Sequence, residues 1–247
     1  MNLLTVDRLS KSYQRGFKST EVLREMSFSI PEGKITGFIG ANGAGKTTAM
    51  KCILGFCKYS QGTISYFGSE GLTNQIKQKL GFLPERPYFY EFLTGSEILQ
   101  FYASLSGMKN RTQILERIDE LFKKMDLSFA KDRPLSSYSK GMMQKVGVAQ
   151  ALIHRPQLVI LDEPMSGLDP DGRYSITEII REIAKDGTAV FFSSHLLNDA
   201  EKVCDRLVLI NAGKTQFEGE VKELLEKSGK SSLEEVFVTM EKSRLSS

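Results

Sequence analysis

Tryptophan is absent, histidine occurs twice and cysteine three times, and these shortages already narrow what the 247-residue chain can be. The three cysteines are odd in number and form no C-x-x-C pair, so Cys52, Cys57 and Cys204 read as buried, reduced thiols rather than metal or redox groups. The longest apolar runs, such as residues 207–210, are four or five residues, far short of the roughly 18 to 20 that cross a bilayer. No membrane span is expected. The formal net charge is +3, too nearly balanced for an electrostatic grip on nucleic acid or an anionic membrane. The first thirteen residues carry early charges and no apolar core, so no secretory leader is expected and the cytosol is the default compartment. Repeats and low-complexity segments are missing as well. With 40% hydrophobic and 26% charged residues, the composition is that of an ordinary globular domain, which excludes disordered and fibrous classes.

What is present is a change of hydrophobic period along the chain. Residues 3–6 and 21–30 alternate, with Met26, Phe28 and Ile30 set against Ser27 and Ser29, which predicts antiparallel strands with one solvated face. After a turn at Pro31-Glu32-Gly33, residues 34–39 read as a short buried strand running into a glycine-rich loop, with a helix from Lys46 to about Phe56. Between 91 and 155 the period becomes about 3.6. Ile98, Phe101, Tyr102 and Leu105 form one stripe there, and Ile114, Ile118, Leu121 and Met125 another. Strands at 158–161 and 188–193 then alternate with helices near 175–185 and 196–204, the pattern of a parallel sheet flanked by helices. A hairpin closes over 207–217, and Leu233, Val236, Phe237 and Met240 are spaced as a short amphipathic helix.

The strand at 34–39 leads into Gly40-Ala41-Asn42-Gly43-Ala44-Gly45-Lys46-Thr47-Thr48, a G-x-x-x-x-G-K-[ST] match with strand before and helix after. Glycines let phosphate oxygens approach a row of backbone N–H groups, and the helix N-terminus adds its partial positive charge. In such a loop Lys46 reaches the β and γ phosphates as a point charge, and the Thr47 hydroxyl takes one place on magnesium. Asn42, Gly43, Ala44, Gly45 and Thr48 complete the expected cradle. The plainer alternative is a glycine-rich turn with an accidental lysine. A second apolar strand, 158–161, ends in Asp162-Glu163-Pro164, two acids at the carboxyl end of a strand, where doubly wound sheets bind ligands. Asp162 is expected on magnesium, and Glu163 is expected to orient and deprotonate the water that attacks the γ phosphate. Alone, such a pair reads as readily as a helix cap; with the phosphate loop upstream, it reads as hydrolytic.

These motifs together resemble the nucleotide-binding subunit of ABC transporters over residues 1–220. The fold this implies is α/β: a P-loop NTPase with a RecA-like, mostly parallel sheet core, an N-terminal antiparallel β subdomain and a helical insertion at about 87–156. A helical tail at 221–247 follows. Tyr138-Ser139-Lys140-Gly141-Met142 stands where the family usually has Leu-Ser-Gly-Gly-Gln; it keeps Ser139 and Gly141 and resembles the variant of one bacterial exporter branch. By residues alone this is a helix N-cap; the resemblance implies that the helix end covers ATP held by the opposite protomer of a head-to-tail dimer. Ser166-Gly167-Leu168-Asp169 resembles the D-loop, which implies Asp169 near the dimer seam. His195 resembles the switch histidine that contacts the γ phosphate, and Tyr13 the aromatic that stacks on adenine. Glu85, in Gly81-Phe82-Leu83-Pro84-Glu85, replaces the glutamine many members carry; it retains the capacity to ligate magnesium and adds charge. His154, at a helix end, reads as structural, a cation that suits the helix dipole.

The resemblance also implies ATP and Mg2+ as cofactors, ATP hydrolysis coupled to transport, and a transmembrane permease on a separate chain. A homodimer or paired ATPase subunit on ATP binding, and a place on the cytoplasmic face of the inner membrane, follow from it too. Export is the expected direction and no nucleic acid is expected. Arg86-Pro87-Tyr88-Phe89-Tyr90-Glu91-Phe92-Leu93 is an aromatic cluster that reads equally as core or as the groove receiving a permease coupling helix. The competing class is a soluble ABC ATPase acting on ribosomes or DNA. Ribosome-acting relatives usually carry two cassettes and DNA-repair relatives long coiled coils, and this chain has neither feature nor a basic tract.

Overall fold

A computed structural model describes residues 1–16 and 18–245. The side chains of residues 15, 18 and 240–245, and with them Met240 of the expected tail stripe, lie outside the described residues. In chain order the elements begin with β1 (Asn2–Arg15), β2 (Lys18–Pro31), β3 (Ile35–Ile39), α1 (Lys46–Ile53), β4 (Gln61–Tyr66) and β5 (Ser69–Glu70). Next come α2 (Asn74–Lys77), β6 (Leu80–Leu83), α3 (Gly95–Leu105), α4 (Arg111–Lys124), α5 (Lys140–Leu152), β7 (Leu158–Leu161) and α6 (Pro170–Lys185). The chain finishes with β8 (Ala189–Ser194), α7 (Leu197–Val203), β9 (Arg206–Asn211), β10 (Lys214–Glu220), α8 (Val221–Ser228) and α9 (Leu233–Leu245). Two compact units result: Met1–Leu72 with the chain from Phe191 onward, and Thr73–Val190.

In the first unit β1 pairs antiparallel with β2 and β4, giving the order β2-β1-β4-β5. Val6 opposes Phe28 and Leu9 opposes Met26, so the alternating apolar residues share the buried face. β1 runs well beyond the expected 3–6, and β2 exceeds 21–30 by three residues at its start and one at its end. The cause is bulging: the register shifts between Val6 and Leu9, and Arg8 and Glu25 take φ of 45° and 50°. Each bulge re-phases the alternation, so one long strand reads as a short one followed by noise. β3 lies parallel to β9, and β9 antiparallel to β10, which is the expected closing hairpin. All five residues of β3 are buried, Thr36 and Gly37 with the three apolar ones, as befits a parallel strand covered on both faces. Phe38 of β3 meets Phe28 of β2 at 5.2 Å and Phe191 of β8 at 5.3 Å, which fastens the antiparallel sheet to the buried strands.

Helix α1 stops at Ile53 rather than near Phe56, because Leu54 caps it and Gly55 turns left-handed at φ 72°. The tail consists of α8 and α9. Leu233 and Val236 are buried where α9 packs on α7 and α8, and the Leu233 amide donates to the Glu201 carboxylate at 2.8 Å. Of the three cysteines, only Cys52 is buried; Cys57 and Cys204 are partly exposed, against expectation.

In the second unit β6 and β7 run parallel, in register from Leu80↔Leu158 to Leu83↔Leu161, with α5 packed on both. α3 begins at a capping box between Thr94 and Glu97, α4 at Asn110 and α5 at Ser139. The α4 stripe is buried as its spacing predicts. The α3 stripe is not: Ile98 is buried together with Leu99 and Ala103, while Phe101 and Leu105 face solvent. The apolar arc of α3 is therefore wider than the face its own unit covers. His154 also departs from expectation. Its Nε2 lies 2.9 Å from the Leu80 carbonyl, and burial lowers its pKa, which favours the neutral ring over a cation at the helix end.

Candidate functional site

The phosphate loop lies in the first unit, between the end of β3 and the first turn of α1. Gly45 is the α1 N-cap at φ 108°, a conformation reserved for glycine. At Gly40 a Cβ would sit 2.6 Å from the Ile210 carbonyl oxygen, so only glycine lets the loop leave β3 beside β9. Ala41, Asn42 and Gly43 are exposed at the rim, whereas Ala44, Gly45 and Lys46 are buried. The Lys46 ammonium donates to the Gly40 carbonyl at 2.7 Å and to Ala41 at 3.4 Å. The loop is thus wound about its own cation. Thr47 is exposed and Thr48 half-buried in the first helical turn. The amide of Gly213, in the β9–β10 turn, donates to the Ala44 carbonyl at 3.0 Å and holds the loop from behind. Nothing in the motif announced that contact; its only sequence signal is the turn Asn211-Ala212-Gly213-Lys214.

Tyr13 stands in the same unit, 42% exposed, with the Lys11 ammonium 4.8 Å above its ring. Its hydroxyl meets Cys57 Sγ at 4.0 Å and interacts with the Thr48 hydroxyl; burial, then Cys57, raises its pKa. A half-exposed aromatic is thereby tied to the helix that follows the phosphate loop. His195 is exposed directly after β8. The buried Ser194 hydroxyl accepts the Leu196 amide at 2.9 Å and shapes that turn, a positioning role that the Ser193-Ser194-His195 run only hints at.

The acidic residues lie in the second unit. Because Leu83 and Leu161 are register partners, Glu85, Asp162 and Glu163 follow the carboxyl ends of adjacent parallel strands, and the Asp162 amide donates to the Leu83 carbonyl at 2.8 Å. Asp162 and Glu163 are buried, Glu85 is exposed. Glu163 has φ 47°, a left-handed conformation that an ordinary side chain adopts only at a cost of order 1 kcal/mol or more. Such strain concentrates where a side chain must be aimed.

Further along this unit, Ser139 caps α5 by accepting the Met142 amide, and Asp169 caps α6 by accepting the Gly172 amide at 2.9 Å ahead of Pro170. Both caps line one open cavity of about 490 Å³, with Lys140, Gly141 and Lys145 on one wall and Gly167 on the other. Lys140 and Lys145 are offset in this lining by Asp169 and Asp171. The aromatic cluster divides: Phe89 is 4% exposed and packs edge-on against Tyr102, while Tyr88, Tyr90 and Phe92 are 87%, 56% and 75% exposed. The first belongs to the core and the other three do not.

The sequence profile of the family described as "ABC transporter" matches residues 23–166, more than half of the chain and the span that holds both the phosphate loop and the acidic pair. The chain belongs to the ABC transporter ATP-binding family. An uncharacterized ABC transporter ATP-binding protein of Synechocystis is 41% identical over 232 residues, covering 91% of this chain and 64% of that relative. The chain thus spans less than two thirds of the length of this relative. The ABC transporter ATP-binding protein NatA of Bacillus subtilis is 32% identical over 240 residues, 96% of this chain and 97% of its own. A solved structure described as the ATP-binding subunit of an ABC transporter superposes with a TM-score of 0.83 at 31% identity, covering 96% of this chain and 98% of that one. The fold of this ABC ATP-binding chain is accordingly the mixed α/β fold of P-loop NTPases, with one antiparallel and one mostly parallel sheet. Among the described residues no helix is long and apolar enough to cross a membrane.

Proposed function

We propose that the chain is the ATP-hydrolysing subunit of a transporter whose membrane part is a separate permease, and that it acts as a head-to-tail dimer on the cytoplasmic face of the inner membrane. The observation that carries this reading is that the chain holds both a loop wound about Lys46 and, in its other unit, two buried acids at the end of β7, within a member of a family that hydrolyses ATP. The nucleotide-binding domain is assigned to 1–220, its helical subdomain to about 87–156, and 221–247 to a helical tail.

In this reading the amides of residues 43–48 and the Lys46 ammonium hold the β and γ phosphates, and Tyr13 takes the adenine face. The oxygen donors Thr47, Asp162 and Glu85 suit a hard cation, with Glu85 the looser because it is exposed. Magnesium, when bound, offsets the charge on the β and γ oxygens. Glu163 orients a water and accepts its proton as the oxygen bonds the γ phosphorus and the bridge to the β phosphate breaks, giving ADP and phosphate. His195 donates a hydrogen bond to the γ phosphate. Ser139, Gly141 and the α5 N-terminus close over the nucleotide of the opposite protomer, with Asp169 at the seam. Lys140, absent from the usual signature, adds a cation to that lid. Export as the direction rests on the Tyr-Ser-Lys-Gly-Met likeness to an exporter branch. Tyr88, Tyr90 and Phe92 offer aromatic walls to a permease helix.

Glu163→Gln tests the chemistry. Removing the base while keeping the shape lowers ATP turnover by roughly 10² to 10⁴ and leaves ATP affinity unchanged. A variant that hydrolyses at the wild-type rate removes Glu163 from the reaction.

A further inference from the structure

Two cysteines that sequence spacing left apart meet in the fold. Cys52 lies in the last turn of α1 and Cys57 just beyond the left-handed Gly55, and their sulfurs are 3.4 Å apart. Cys52 is 3% exposed, while Cys57 is partly open to solvent. Among the described residues no group of three or more His, Cys, Asp or Glu side chains could hold a metal ion. Cys57 Sγ is also the atom that meets the Tyr13 hydroxyl at 4.0 Å.

We propose that Cys52 and Cys57 are a redox modification site, closing to an intramolecular disulfide on exposure to hydrogen peroxide and reopening with a thiol reductant. The accessible Cys57 thiolate attacks one peroxide oxygen; the O–O bond breaks, hydroxide leaves as water after taking a proton, and Cys57 becomes a sulfenic acid. Cys52 then attacks the Cys57 sulfur, an S–S bond replaces the S–O bond, and a second water leaves. In sum two thiols lose two electrons and two protons, and one peroxide becomes two waters. Burial, then the Cys57 hydrogen bond, pushes the Cys52 thiol up to about 12, which assigns it the resolving and not the peroxide-reactive role. Closing the sulfurs from 3.4 Å to a bond of about 2.05 Å displaces sulfur atoms beside the Tyr13 hydroxyl, which meets Cys57 Sγ at 4.0 Å. Gly55, between the two, supplies the backbone freedom for that movement. The consequence for nucleotide rests on the reading of Tyr13 as the base platform; the disulfide itself does not.

Trypsin cleaves after Lys51 and Lys58, so both cysteines leave in one peptide, residues 52–58. The full chain is treated with hydrogen peroxide, blocked with N-ethylmaleimide in denaturant, digested and weighed. The 52–58 peptide is expected two hydrogens lighter than its reduced form and free of maleimide, with Cys204 still labelled and dithiothreitol restoring both thiols. In Cys52→Ala, Cys57 is expected to stop at the sulfenic acid and to be trapped by dimedone. A doubly labelled 52–58 peptide at a dose that oxidises Cys57 in Cys52→Ala overturns the proposal. Titration with trinitrophenyl-ATP is expected to show affinity about threefold weaker in the oxidised chain, restored by reduction. Unaltered affinity in a chain whose disulfide has formed overturns the link to Tyr13. Tyr13→Ala tells the two failures apart: wild-type affinity in that variant sinks the base-platform reading, while the peptide mass still decides the disulfide.

Discussion

Lys46→Met removes the charge at the centre of the phosphate loop and keeps the length of the stem. In the fold the ammonium donates to the Gly40 carbonyl at 2.7 Å and to Ala41 at 3.4 Å, so engaging a phosphate exchanges those neutral acceptors for charged ones. The net gain is that of one charge-assisted hydrogen bond, about 1.5 to 3 kcal/mol. At 1.4 kcal/mol per tenfold, this is a roughly 10- to 150-fold rise in the Kd for ATP. The variant also leaves the Gly40 carbonyl without its donor, which costs about 1 kcal/mol of stability, a fall of a few degrees in Tm. Isothermal titration with a non-hydrolysable ATP analogue measures the first effect and a thermal melt without nucleotide the second. A Kd within about twofold of wild type, in a chain that still melts cooperatively, refutes the assignment of Lys46 to the phosphates.

Tyr88→Ala and Phe92→Ala, at side chains 87% and 75% exposed, should leave Tm and soluble ATPase activity unchanged and weaken co-purification with the permease. Phe89→Ala, at a buried ring, should instead lower stability by about 3 to 5 kcal/mol in a urea titration. For His154, burial depresses the folded-state pKa below the ordinary 6.5, so the unfolded chain binds the proton more readily. Its contribution to stability is present above 6.5 and is lost as pH falls through the lowered folded value. Tm should therefore drop more steeply on acidification below 6.5 in the wild type than in His154→Gln, and equal slopes would contradict the buried neutral ring.

The chemistry-bearing segments were legible because each is a local pattern with its own physical cause. The strand before Asp162 is a continuous apolar run, the strand before Gly40 is interrupted only by Thr36 and Gly37, and both are buried throughout. Other features depend on contacts that no local window contains. β6 is four residues with a glycine inside it; a Cβ at Gly81 would lie 2.1 Å from the Ala151 carbonyl oxygen, so the glycine that hides the strand is what lets α5 pack on it. The α3 stripe promised a buried face that Phe101 and Leu105 do not have, because periodicity gives the width of an apolar arc but not what covers it. His154 turned from a dipole cation into a neutral anchor because burial disfavours its charge, in a packing that brings it to the Leu80 carbonyl from 74 residues away. Cys52 and Cys57 became neighbours through a helix end and one left-handed glycine.

In the proposed mechanism two copies of the chain close on ATP, each lending Ser139, Gly141 and the α5 N-terminus to the other's phosphates. Light scattering on size-exclusion chromatography of Glu163→Gln, saturated with ATP and magnesium, tests this most directly. The predicted result is a dimer of twice 27.7 kDa that returns to monomer when nucleotide is removed. A chain that binds ATP and still elutes as a monomer at every protein concentration contradicts it.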